Sequence, residues 1–226
     1  MVQLFNVTVK AVYEERMNCF FNIFVYMENK TDTYKENQGF WDQRYQDNEM
    51  GWDLKQVSPP LKNYIDTLKD KSMAILIPGC GNAYEAEYLL HQGFTNVTVI
   101  DIAPTLVNRL KEKFEGRPIK IINGNFFEHK GHYDLILEQT FFCAINPALR
   151  KDYMEKCYNL LNQKGKIAGL LFGVIFEKEG PPHGGTKQEY ENLFRSKFNF
   201  LQLDVCKTSI EPRMGNELFI EFEKKS

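Results

Sequence analysis

"ILIPGCGNAYEAEYLL", residues 75–90, passes from an unbroken apolar run through a Gly-X-Gly turn straight into a helical pattern. A run that is apolar at every position fits a parallel strand buried on both faces. Strand, glycine turn and helix, in that order, form the corner where open α/β sheets hold nucleotide-like ligands. Asn82, with Glu85 three places on, reads as a capping box for a helix whose buried stripe is Ala83, Ala86, Leu89 and Leu90.

The corner narrows its own ligand. A dinucleotide fingerprint needs a third glycine for close helix–strand packing, and here Gly79 and Gly81 are followed by Tyr84. The Gly-Lys-Ser/Thr of a phosphate-binding loop is missing as well. S-adenosylmethionine, a nucleoside joined to an amino acid without phosphate, suits such a turn. Asp101 closes the apolar run 96–101, twenty places after Gly81, where a carboxylate can accept both ribose hydroxyls. A solvated strand-end aspartate is the plain alternative.

Outward from the corner, strands are expected at 73–78, 96–101, 119–124, 133–139 and 165–174. Helices are expected at 38–46, after Ser58-Pro59-Pro60 where proline suits the first turn, and at 105–114, 147–162 and 186–196. Two β-rich runs, 200–208 and 216–224, follow with no helix between them. The alternation predicts a doubly wound, mostly parallel sheet ending in an antiparallel hairpin.

The chain of 226 residues suits a single α/β domain, expected over 36–226, preceded by a poorly packed extension over 1–35 in which Met27 is a natural start. The net charge of -2, without a basic block, leaves no electrostatic footprint for nucleic acid. The apolar run Cys19 to Met27 is about half a membrane span. It follows acidic Glu14 and Glu15 rather than a basic segment, so neither a membrane anchor nor a signal peptide is expected. Cysteines 19, 80, 143, 157 and 206 are odd in number and lack C-x-x-C spacing, which argues against zinc and disulfides and for a reducing cytoplasm. A cytoplasmic monomer is the expectation.

"GFWDQRYQDNEMGWDLKQVSPPL", "LIPGCGNAYEAEYL", "VIDIAP", "GNFFEHKGHYDLILEQTFFCAINP" and "GPPH", in this order, resemble the thiopurine S-methyltransferase family, nearest its thiol and halide methyltransferase branch. The resemblance runs from about Gly39 to the C-terminus. It implies a Rossmann-like class I methyltransferase fold of seven strands, an N-terminal helical lid, and S-adenosylmethionine as cofactor. By position it implies that Trp41, Tyr45 and Trp52 roof the cofactor, that Gly79 and Asp101 hold its chain and ribose, and that Asn125 and Phe126 meet the adenine. Gln139 is implied to face it after strand four. Three positions depart from the family, which usually has tryptophan at Tyr45, aspartate at Asn125 and often an aromatic at Gln139. Asn125 still accepts through its carbonyl oxygen, without charge.

Methyl transfer from a sulfonium to an anionic nucleophile consumes both charges, so a dry apolar pocket suffices and positioning carries most of the rate. Trp41 and Tyr45 can attract the cation to their ring faces; packing at i, i+4 helical spacing is the bland reading of the same pair. "TFFCA" (140–144) is expected to wall the pocket, with Cys143 as wall rather than nucleophile. His183, after Gly180-Pro181-Pro182, is placed to deprotonate an alkyl thiol, or is an ordinary loop histidine. His91, His129 and His132 read as surface residues, and no metal site is expected.

The acceptor expected is a small soft nucleophile, a thiol first, with halide, selenium and tellurium species beside it. An α/β oxidoreductase is opposed by Tyr84, and a non-catalytic cofactor-binding module is motivated by Asn125 and Gln139. Methylation of nucleic acid or protein is opposed by the charge balance and by Asn146-Pro147-Ala148, which breaks the N/D-P-P-Y/F motif.

Overall fold

In the computed structural model, which describes residues 37–226, the run 75–90 folds as strand β1 (Ile75–Pro78), buried at all four positions, and a helix over Tyr84–His91. Two helices precede β1, α1 over 37–46 and α2 (Pro59–Thr67), so the helix after it is α3. The chain continues through β2 (Val97–Asp101), α4 (Pro104–Lys113), β3 (Ile119–Asn123) and β4 (Tyr133–Gln139). It ends with α5 (Arg150–Leu160), β5 (Leu161–Phe172), α6 (Lys187–Phe194), β6 (Phe198–Val205) and β7 (Glu217–Lys224). What is expected of residues 1–35, including Cys19 and Met27, lies outside the described residues.

The seven strands form one sheet in the order β3-β2-β1-β4-β5-β7-β6. All neighbours from β3 to β5 run parallel, and β7 runs antiparallel to both β5 and β6. The hairpin expected at the C-terminus is present, but its second strand inserts between β5 and the first. Apolar clusters fill both faces of the sheet, one around Phe142, Tyr153, Phe194 and Phe222, the other around Ile77, Leu89 and Leu106. Among the described residues no helix is long and apolar enough to cross a membrane.

Strand order reverses between β1 and β4, and a sheet of this kind opens its crevice at the carboxyl ends of the strands flanking such a reversal. The β1–β4 ladder stops at Leu76↔Ile136, two residues before β1 ends and three before β4 does. The two strand ends therefore splay.

The capping box is not formed. Ala83, at φ 57, stands at the start of α3 and no side chain caps it. Asn82 instead donates to Asp53 Oδ2 (2.9 Å), and Glu85 accepts from the backbone N–H of Ser58 (3.0 Å). Both side chains are taken by distant segments that dock the chain before α2 against the glycine corner. The expected stripe does hold, since Ala83, Ala86, Leu89 and Leu90 are buried.

Candidate functional site

A cavity of about 1220 Å³ runs along the carboxyl edge of the sheet. Its lining begins on the β3 side with Asn125 and Phe126 and takes in Asp101 at the end of β2, Gly79 after β1 and Gln139 at the end of β4. It continues past Phe172 at the end of β5 to Arg213 and Asn216 before β7. The antiparallel course of β7 explains this last arrival. Glu217, its first residue, pairs with Phe172, so the connection from β6 is delivered to the same edge. From β3 to β7 the edge spans five strand spacings, roughly 24 Å. The volume exceeds the about 300–1000 Å³ of a single small-ligand pocket, which leaves room for two reactants side by side.

The glycine corner is built for close approach. Gly79 and Gly81 both have left-handed backbones, at φ 53 and φ 51. A Cβ on Gly79 would lie 2.3 Å from a ring carbon of Phe141. The turn after β1 and the turn after β4 therefore touch, and only glycine fits between them.

Asp101 is buried, and its two carboxylate oxygens accept from the backbone N–H of Gly81 (3.2 Å) and of Ala103 (3.0 Å). Burial pushes its carboxyl up to about 6 against those backbone donors, and the neighbouring charge that acts on it is another carboxylate, Asp42. A carboxylate offers about four acceptor positions, so two remain.

The three rings named from the sequence form one cluster over this corner. Trp41 and Trp52 meet edge to face at 5.3 Å, and Tyr45 and Trp52 at 5.9 Å. Tyr45 is buried while both tryptophans are half-buried, and all three line the cavity, so packing and lining are both true of them. Asp42 anchors α1, accepting from Thr105 N–H (2.7 Å) and Thr105 Oγ1 (3.1 Å) in the first turn of α4. The Trp52 loop is pinned twice, by Asp53 to Asn82 and by Arg213 Nη2 donating to the Trp52 carbonyl (3.0 Å).

Asn125 caps a 3-10 turn, its Oδ1 accepting from Phe127 N–H at 3.0 Å, so one lone pair of that oxygen is already engaged. Phe126 is buried and stacks edge to face on Phe141 at 5.2 Å. Gln139 Oε1 is a buried acceptor without a partner among the described residues.

The 140–144 turn walls the cavity through Thr140, Phe141, Cys143 and Ala144, while Phe142 turns into the core. Cys143 lines the cavity, and burial pushes its thiol up to about 12, which disfavours the thiolate. Among the described residues the cysteines are free and no side-chain group could hold a metal ion.

His183 reads from the sequence as a base for the thiol or as an ordinary loop histidine. Pro181 and Pro182 line the cavity, but His183 does not. Its backbone is what is engaged: its N–H donates to the Cys143 carbonyl (2.7 Å), and its carbonyl accepts from Arg150 Nη2 (3.3 Å). Burial and the Arg150 charge both lower its imidazole below the ordinary range. His129 is also more than a surface residue, since its Nε2 lies 2.7 Å from the Tyr133 hydroxyl. Sequence reasoning missed Arg213, Asp53 and Phe176, whose places depend on pairings far along the chain.

With this geometry in hand, the chain matches the family model described as thiopurine S-methyltransferase over residues 36–221. It is 27% identical to a probable thiol methyltransferase 2 of Arabidopsis thaliana over 199 residues, covering 85% of this chain and 88% of that protein. It is 24% identical to thiocyanate methyltransferase 1 of Brassica oleracea (83% and 85% covered) and 26% identical to thiopurine S-methyltransferase of Acinetobacter baylyi (78% and 92%). Its fold is similar to the Burkholderia thailandensis 1,6-didemethyltoxoflavin-N1-methyltransferase, a structure with bound S-adenosylhomocysteine, at TM-score 0.68 and 19% identity over 86% and 90% of the two chains. A TehB-like methyltransferase of Corynebacterium glutamicum is similar at TM-score 0.60 and 17% identity, over 84% and 100%.

Proposed function

This chain belongs to the thiopurine S-methyltransferase family, and on that premise we propose that it methylates a small organic thiol in the cavity along the carboxyl edge of its sheet. It is an S-adenosylmethionine-dependent methyltransferase. When bound, S-adenosylmethionine supplies an electrophilic methyl group on a sulfonium.

The residues present fit that group. Asp101, held by backbone N–H groups and with acceptor positions to spare, would take the ribose hydroxyls. Gln139 Oε1, an orphaned buried acceptor, would take an N–H of the amino-acid end. Asn125 and Phe126 would border the adenine, and Gly79, where a Cβ would strike the Phe141 ring, keeps the corner open to the chain. The Trp41, Tyr45 and Trp52 rings would face the cation and exclude water.

The observation that carries the reading is the length of the cavity, from Asp101 on one side of the strand-order reversal to Phe172 and Arg213 on the other. The donor end is polar and built from backbone. The acceptor end is walled by Phe172, Phe176, Cys143 and Pro181, with Arg213 and Lys178 also lining it. An alkyl thiol near its ordinary pKa of about 8.5 is partly ionised at neutral pH. Lys178 favours the thiolate, Arg213 less so because its Nη1 already pairs with Glu217 at 3.3 Å. The walls hold it dry and in line, and no protein base is assigned to it.

Radiolabelled methyl transfer to a panel of alkyl and aryl thiols, thiocyanate and iodide tests the proposal. Transfer to thiols above the inorganic anions is expected. Transfer to none of them, with S-adenosylhomocysteine still bound, overturns the acceptor class.

A further inference from the structure

The buried carboxylate of β4 touches neither the cavity nor its lining cations. Glu138, the penultimate residue of β4, is fully buried. Its Oε1 accepts from the backbone N–H groups of Phe141 (2.8 Å) and Phe142 (2.9 Å), and its Oε2 accepts from the Tyr153 hydroxyl on α5 (2.7 Å). The segment it grips is the turn after β4, strained at Thr140, a β-branched residue at φ 62. The same turn carries Phe141, whose ring lies against Gly79, and Cys143, whose carbonyl receives His183 N–H.

We propose that Glu138 is a positioning residue: its carboxylate holds the 140–143 turn so that Phe141 abuts the glycine corner, and through that contact it sets the affinity for the methyl donor. The inference rests on the reading of the Asp101 end of the cavity as the donor site. A charge-assisted hydrogen bond is roughly twice as strong as a neutral one, so the ionised form grips the two N–H groups harder than a neutral form does. Burial pushes this carboxyl up to about 7, opposed by the three donors, so its charge changes within the working range. The titratable groups facing it are Tyr153 and Cys157 from α5 and Cys143 from the turn, all raised well out of that range by burial. On β5 its paired residue is Gly169, which carries no titratable group. Glu138 is therefore the member of this cluster that titrates near neutrality.

The test titrates S-adenosylhomocysteine into the full chain, read by tryptophan fluorescence, from about pH 5.5 to 8.5. The two tryptophans of the chain, Trp41 and Trp52, both line the cavity and report on it. Wild-type affinity is expected to rise with pH in two steps, through about 6 where Asp101 ionises and then through about 7 where Glu138 does, and the upper limb is the one that belongs to Glu138. Glu138→Gln is expected to bind about tenfold more weakly at the alkaline end and to lose that limb, because it cannot ionise. Glu138→Asp keeps the charge and should keep a limb. Tyr153→Phe removes one hydrogen bond that lowers the carboxyl, so its limb moves to higher pH; this variant carries the test if the glutamine variant does not fold. A glutamine variant with wild-type affinity and pH dependence, or a Tyr153→Phe limb that stays in place, overturns the proposal. Because the readout is donor binding, it stands whether or not any thiol proves to be methylated.

Discussion

The backbone N–H of Gly81 donates to the Asp101 carboxylate across 3.2 Å, tying the turn after β1 to the last residue of β2. The bond orients the carboxylate while using one of its acceptor positions. The acid is fixed, and among the described residues the charge acting on it is that of another carboxylate, Asp42.

That burial gives binding and stability opposite responses to pH. Asp101 ionises near its ordinary 3.8 when unfolded and near about 6 when folded. Between those values the folded chain holds the extra proton, so this group's contribution to stability is present below 3.8 and lost as pH rises to about 6. Donor binding needs the ionised form and should strengthen as pH rises through about 6. Denaturant melts and S-adenosylhomocysteine titrations over one pH series check both slopes. Parallel slopes would refute the assignment.

The aromatic roof is separable from the rest of the site. Each ring facing a cation contributes about 0.5–2 kcal/mol, so Trp52→Ala should weaken binding of the sulfonium donor by roughly twofold to thirtyfold. S-adenosylhomocysteine is neutral at sulfur and should lose less. Equal losses for the two ligands would mean that Trp52 acts only by packing.

Gly79 and Phe141 should behave as a coupled pair. Gly79→Ala places a Cβ 2.3 Å from the Phe141 ring on a left-handed backbone, and the backbone alone costs roughly 1–2 kcal/mol. Adding Phe141→Ala relieves the clash, so a double-mutant cycle in denaturant should give a coupling of about 1 kcal/mol or more. Additive losses would show that the two turns are not in contact in solution.

His183→Ala should leave thiol methylation within about threefold of wild type and the pH profile unchanged, because only its backbone is engaged with the cavity wall. A fall of more than about threefold, with a limb in the acid range lost from the pH profile, would make the histidine a base.

Much of this fold was legible because a parallel strand buried on both faces leaves an unbroken apolar run, as β1 does. The alternation predicted the layers, and the spacing from Gly81 to Asp101 brings the two together in a hydrogen bond. Non-local pairings were not legible. Asn82 and Glu85 have the pattern of a capping box, yet Asp53 and Ser58, each 27 or more positions away, take their side chains. The insertion of β7 beside β5 is likewise invisible in a local pattern, and with it the arrival of Arg213 at the cavity. β5 begins at Leu161, four residues before the predicted strand, and α5 ends at Leu160 rather than at residue 162. Glu138 reads in sequence as one acid within an apolar strand. Its role depends on α5 and on the turn folding back over it.

Calorimetric titration of S-adenosylhomocysteine into the wild type and Asp101→Asn near pH 8 tests the central claim most directly. The amide cannot accept at all the positions a carboxylate offers, and the account predicts affinity at least about tenfold weaker with the fold retained. Equal affinity in the two proteins would place the donor somewhere other than across the end of β1 and β2.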